Sequence, residues 1–291
     1  MDALSLQLLF NGLALGAGYG LLALGFALAL RSAGAINFAH GDVAVAAAYV
    51  AVAGGALGGL GGPAAAGLAI AAGALLGLSV AGLSWAPLRN RPIEATFIAA
   101  IAIGIVLQNA LTASFGGAPQ APAQIASGGV HIGAVFMSWQ ALISLAAAAV
   151  AFIAVWAVLA KSQVGRRMRA AAEDPEIAAA HGIPVIRLAI LAFAIAGALA
   201  GLAGVLLAAQ HYATPGAGAD YILKAYVAAT AAGWGRILPT AAAAIAIALF
   251  ETIGAALVSH AVAEALLYAG FVALLAFRPQ GLGGEAKGKR A

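Results

Sequence analysis

Apolar runs long enough to cross a bilayer dominate this sequence. They fall at about 5–30, 36–55, 64–86, 95–112, 138–160, 188–209, 237–257 and 260–277. A spanning helix needs about 20 apolar residues. In hydrocarbon every backbone polar group must be satisfied within the protein, which leaves only helices and closed barrels. The runs are continuous rather than alternating and far exceed the ~10-residue strands of a barrel. The sequence therefore predicts an all-α, polytopic transmembrane helix bundle of about eight to nine spans. The ninth is a short or broken segment at about 222–235. Residues 1–291 read as one transmembrane domain.

Composition closes the other routes. Hydrophobic residues are 64% of the chain and charged residues 8%, which is too little polar surface for an ordinary soluble globule. Disorder, coiled coil, nucleic-acid binding and a cytosolic enzyme all fit poorly. There is no cysteine, so disulfides, thiolate metal sites and cysteine nucleophiles are excluded. Asp2 stands where a signal peptide would be basic, and the first run continues to Leu30. That run is expected to stay attached as a span. Gly12-Gly16-Gly20 and Gly197-Gly201 have the small-xxx-small spacing of close helix contacts, although chance repeats are expected among 38 glycines.

Basic residues set the expected orientation. They collect at Arg31, at Arg89 and Arg91, along Lys161, Arg166, Arg167, Arg169 and Arg187, and from Arg278 to Arg290. The positive-inside rule makes these segments cytoplasmic, with the N-terminus outside and the C-terminus cytoplasmic. That arithmetic requires 222–235 to cross as well. Residues 113–137 and 210–221 become outer loops.

Three polar features stand out. Asn37, His40 and Asp42 enter the second run within two turns. Polar groups at membrane depth tend to line pathways or pair with one another, so these three are candidate pathway residues. They could equally lie at the cytoplasmic headgroups and be satisfied by water. Gln108 and Asn109 could join helices by hydrogen bonds. Lys224 is expected to snorkel outward. Glu251 needs a partner or a wet cavity, and a packing hydrogen bond from its neutral form is favoured over a proton relay. The third feature is the loop 161–187, where Asp174 can cap a helix that Pro175 opens. Glu176 suits the positive helix end, Gly182 the C′ position, and Pro184 stops the helix. A short helix with its own start and stop signals suggests a docking surface. A solvated connector is the plainer alternative. No P-loop, His-Glu-x-x-His or Gly-x-Ser-x-Gly motif is present, and the five histidines are scattered. No catalytic residue, metal or cofactor is assigned.

These stretches resemble a known family. G-A-I-N-F-A-H-G-D at 34–42 is similar to the signature of the LivH-like permease subunits of branched-chain amino-acid ABC importers. R-A-A-A-E-D-P-E-I-A-A-A-H-G-I at 169–183 resembles the family's ATPase-contacting loop, and L-K-A-Y-V-A-A at 223–229 and F-R-P-Q-G-L at 277–282 resemble its late segment and tail. The chain departs from the pattern at Arg236, at Thr240, and in the tail at Gly283 and Gly284. The resemblance implies an inner-membrane permease that translocates branched-chain amino acids or related small polar solutes. It also implies a LivM-like second permease, two P-loop ATPase subunits and a periplasmic substrate-binding protein. Glu173, Asp174, Pro175, Glu176 and Gly182 would form the ATPase coupling helix. The alternatives are a proton-coupled secondary transporter using Glu251 or His40, and a non-transporting membrane scaffold.

Overall fold

Helix α1 (Ala3–Ala33) is the axis of the structure, a computed structural model that describes residues 3–233, 236–278 and 281. Its 31 residues reach about 46 Å. Of its most apolar window, 89% is buried, so it is a core helix rather than a lipid-facing one. The other long helices are α2 (His40–Gly58), α3 (Gly62–Val80), α5 (Ile93–Phe115), α6 (Trp139–Lys161), α9 (Val185–His211), α11 (Ile237–Leu257) and α12 (His260–Phe277). A π-turn (Ala81–Trp85) joins α3 to the short α4 (Ala86–Leu88). Pro87 brings no N–H to the helical ladder at that point, which accounts for the local widening. Eight of the described helices, taking 62–88 as one, are long and apolar enough to cross a membrane.

Glycines set the helix spacing. At the crossing of α3 and α9, the position of an added Cβ on Gly73, Gly77, Gly197 or Gly201 is already occupied by the facing backbone. In hydrocarbon, helices associate by close packing rather than by escape from water, and these small faces permit it. Both glycine series expected from sequence make contacts. Gly12 and Gly16 face Leu249 and Ile245 of α11, and Gly197 and Gly201 face α3.

The same contacts fix chain direction. Gly12 meets Leu249 and Gly16 meets Ile245, so α11 runs antiparallel to α1. Gly18 meets Leu207 and Gly25 meets Ala196, so α9 does too. The chain must therefore recross the bundle between α9 and α11, and α10 (Ala217–Ala232) lies in that connection. Its 16 residues span about 24 Å, so the flanking segments complete the traverse. This is the short segment expected at 222–235, begun five residues earlier. Positions 234 and 235, the tail at Gly283 and Gly284, and the basic run to Arg290 lie outside the described residues. Gly254 of α11 meets Ala263 of α12, and this last hairpin ends on the face opposite the α1 N-terminus.

Burial is uneven. Only 22% of the apolar window of α5, 11% of α6 and 6% of α12 is buried, so these helices present apolar faces to lipid or to another subunit. The stretch expected as a plain loop at 113–137 contains a hairpin instead, β1 (Gly129–Ile132) and β2 (Val135–Ser138). Gly133, at φ +63°, allows the tight reversal. Gln7 clamps β2 to α1: its Nε2 donates to the Phe136 carbonyl at 2.9 Å and its Oε1 accepts from the Phe136 N–H at 2.8 Å.

Candidate functional site

The polar entry to α2 is packed inside the bundle rather than left open to water. The His40 ring is 1% exposed, and its Nε2 lies 3.1 Å from the Leu22 carbonyl, three turns before α1 ends. Gly25 makes room for that ring. Asn37 is 4% exposed and precedes the helix, so its amide does not stack over Gly41 as a helical spacing would have it. Its Oδ1 is buried with no partner among the described residues. Gly41 faces the Gly218 carbonyl of α10 instead.

Asp42 is half-buried where three helices meet. Its carboxylate fits against Gly104, at the midpoint of α5, and against Gly218 in the first turn of α10. Any Cβ at either position would collide with it. No ion pair among the described residues engages Asp42. A carboxylate packed among apolar helices without a partner cation is costly. Gln108, one turn along α5, lies beside Gly216. Asn109 does not join helices; its Nδ2 donates to Ile105 of its own helix at 2.8 Å.

Lys224 does not snorkel. It is 2% exposed, and its Nζ lies 2.8 Å from Asp220, 2.9 Å from Glu251 and 3.9 Å from Glu264. It also donates to the Tyr19 hydroxyl at 3.1 Å. Glu251 therefore meets its need for a partner with a lysine rather than with a neutral packing hydrogen bond. The cluster joins α1, α10, α11 and α12. Sequence reasoning took Lys224 and Glu251 one by one, but the four-residue spacing of Asp220 and Lys224 was the available sign of their pairing.

The loop 161–187 folds into two helices, α7 (Gln163–Glu173) and α8 (Pro175–Ala180). Asp174 caps α8 as expected, its Oδ1 accepting from the N–H groups of Glu176 at 3.0 Å and Ile177 at 2.9 Å. Gly182 follows at φ +77°, the left-handed region its C′ role requires. Helix α7 was not foreseen. Its signals were Ser162, whose Oγ caps Gly165 N–H at 2.9 Å, and the helical spacing of Gly165, Met168 and Ala171, all buried. Ala178 anchors α8, while Glu173, Pro175, Glu176 and Gly182 are exposed and Ile177 is 59% exposed. An apolar side chain flanked by two carboxylates makes a small mixed contact face.

On the face carrying the α1 N-terminus, a cavity of about 310 Å³ lies between α1, α6 and α9. Asn11, Gln124, Ser138, Gln140, Gln210 and His211 line it. Its polar lining is mostly neutral amide and hydroxyl, drawn from four separate stretches of sequence, and no local motif announced it. Gln120 and Ala213 bridge the loops beside it at 2.9 and 2.7 Å, and the Tyr49 hydroxyl donates to the Ala213 carbonyl at 3.1 Å.

Comparison with known proteins places these features in a family context. Residues 8–275 match the family model described as branched-chain amino acid transport system / permease component. The chain is 29% identical to the high-affinity branched-chain amino acid transport system permease protein BraD of Pseudomonas aeruginosa, covering 96% of each chain. It is 30% identical to the corresponding LivH permease of Escherichia coli (strain K12), again over 96% of each. A shorter likeness, 36% identity over 31% of this chain and 30% of the other, relates it to the ribose import permease protein RbsC of Bacillus subtilis. No solved structure gives a significant match.

Proposed function

From the premise that the chain belongs to the permease-component family of branched-chain amino acid transport systems, we propose that it is one membrane subunit of an ATP-driven importer. Its cargo is a branched-chain amino acid or a related small polar solute. The single observation that carries this reading is the end-to-end likeness to the LivH and BraD permeases, 96% of each chain. The chain carries no P-loop motif, so the ATP chemistry falls to partner subunits.

In this reading residues 1–291 act as one permease domain in the inner membrane. The α1 N-terminus is outside and the α12 end is cytoplasmic. Support comes from the basic residues, since Arg31, Arg169, Arg236 and Arg278 all belong to elements at the face opposite the α1 N-terminus, and basic loops stay inside. A LivM-like permease covers one of the open faces left by α5, α6 and α12. Two P-loop ATPases dock on the cytoplasmic loops of the permease pair, and on this chain the α7–α8 loop receives one, with Glu173, Asp174, Pro175, Glu176 and Gly182 forming the contact helix. A periplasmic binding protein releases solute at the amide-lined outer cavity. The start of α2 supplies the polar path: Asp42 lines it, and Asn37 and His40 set the shape of its floor. Binding and hydrolysis of ATP then drive alternating access by favouring one of two helix arrangements.

The test is purification of the tagged chain in mild detergent from its own cells, followed by mass spectrometry of its companions. A second permease and P-loop ATPases are expected. Recovery of the chain alone, still active in proteoliposomes without ATP, would overturn the importer reading in favour of a secondary transporter.

A further inference from the structure

The polar side chains around the cavity between α1, α6 and α9 have one end committed to the protein and one end open. Gln140 Oε1 accepts from the Ile125 N–H at 2.9 Å. Turning the amide would set two donors against each other, so Nε2 is its open end. That Nε2 is buried with no partner among the described residues, on a side chain 3% exposed. The Phe136 backbone fixes the Gln7 amide. Gln7 Nε2 in turn donates to Asn11 Oδ1 at 3.0 Å, which leaves Asn11 Nδ2 open. Ser138 Oγ accepts from the Ala141 N–H at 3.2 Å and keeps its proton to donate. Gln210 is the reverse case. Its Nε2 donates to Ser144 Oγ at 2.8 Å and to the Leu206 carbonyl at 3.2 Å, so its open end is the acceptor Oε1.

Three donors therefore face one acceptor, with exposed Gln124 and His211 able to serve either way. The donors gather at the start of α6. Ser138 is its N-cap and Gln140 lies in its first turn, so the positive end of the dipole adds to them. An unpaired buried donor is costly, and a carboxylate oxygen is among the strongest acceptors that relieve it. No Lys, Arg, Asp or Glu lines the cavity, so the carboxylate that fits is one whose charge is balanced within its own molecule. The remaining wall is small and apolar, with Ala14, Ala126, Ala141 and Ala209. The volume of about 310 Å³ suits a compact solute.

We infer that this cavity holds a zwitterionic amino acid by its polar ends. Gln140, Asn11 and Ser138 donate to the carboxylate, and Gln210 Oε1 accepts from the ammonium group. The inference takes its solute class from the proposed function and adds to it the residues that recognise the solute.

The experiment uses the full-length chain with its companion subunits in phosphatidylcholine nanodiscs, without ATP and without the binding protein. Radiolabelled L-leucine is the probe, and scintillation proximity reads its binding. Unlabelled L-isoleucine is expected to displace it, whereas L-leucinol, which lacks the carboxylate, and D-ribose are not. Gln140→Glu keeps the acceptor for Ile125 but exchanges the donor for a carboxylate, and binding falls about tenfold or more. Asn11→Asp keeps the acceptor for Gln7 and weakens binding roughly fivefold. Ser79→Ala, whose lost hydroxyl bonds only Leu75 of its own helix, leaves binding unchanged. Should Gln140→Glu fail to assemble, Asn11→Asp decides the matter. No specific binding of L-leucine, displacement by L-leucinol or D-ribose, or unchanged binding in these two variants would each overturn the inference. Uptake measured on the same preparations separates the two readings. Leucine binding that depends on Gln140 and Asn11, with uptake that needs no ATP, refutes the importer and keeps the site. ATP-driven uptake with binding indifferent to both residues refutes the site alone.

Discussion

Replacing Lys224 by methionine removes the cation that Asp220, Glu251 and Glu264 share. Asp220 and Glu264 are 39% and 31% exposed and can turn toward polar surroundings, but Glu251 is 7% exposed and cannot. One Glu251 oxygen has no partner in the described structure, so losing Lys224 leaves the carboxylate nearly stranded. Exposed His260, whose Nδ1 is 3.7 Å from Glu251, is too distant to replace a 2.9 Å lysine contact. Breaking a buried pair by removing one partner costs about 3–5 kcal/mol. At about 2–3 °C per kcal/mol for a chain of this size, apparent Tm falls by roughly 6–15 °C. Glu251→Gln costs less, about 1–3 kcal/mol, because Lys224 keeps Asp220. The double variant K224M/E251M removes both ends and is expected to recover most of the loss, since buried pairs exchange for apolar side chains at little net cost. Thermal stability of detergent-purified protein, read by fluorescence-detected gel filtration, provides the values. A Lys224→Met protein within about 2 °C of the parent, or a double variant as unstable as the single one, would refute the reasoning.

Three further outcomes follow from the same geometry. Gly201→Leu drives a side chain into the α3 backbone at Ala69 and is expected to cost about 3 kcal/mol, visible as lost monodisperse yield. Asp174→Ala removes two capping bonds worth about 1 kcal/mol; hydrogen exchange should rise over 175–180 while the stability of the bundle holds. Asp42→Asn keeps its place between Gly104 and Gly218 but loses its charge. Uptake should fall about tenfold or more, with complex recovery unchanged.

The span pattern was legible because backbone satisfaction in hydrocarbon leaves little choice: a continuous apolar run becomes a helix. Local punctuation was legible too, as Asp174, Pro175 and Gly182 show, since caps act within a few residues of their own position. What sequence reading missed depends on residues brought together from afar. Lys224 looked like a snorkelling cation because its partner Glu251 lies 27 positions away. The burial of the α2 start was not legible because nothing local says that His40 reaches Leu22. The hairpin at 129–138 was hidden by the glycines and prolines of its loop, whose composition signals turns more strongly than short strands.

An importer subunit moves solute at the expense of ATP hydrolysed on its partner subunits. The most direct test is uptake into proteoliposomes holding the purified complex with its binding protein, with labelled branched-chain amino acid on the binding-protein side. Uptake is expected to require ATP on the α7–α8 side and to persist when ionophores collapse the proton gradient. Uptake that continues without ATP and disappears with the proton gradient would contradict it.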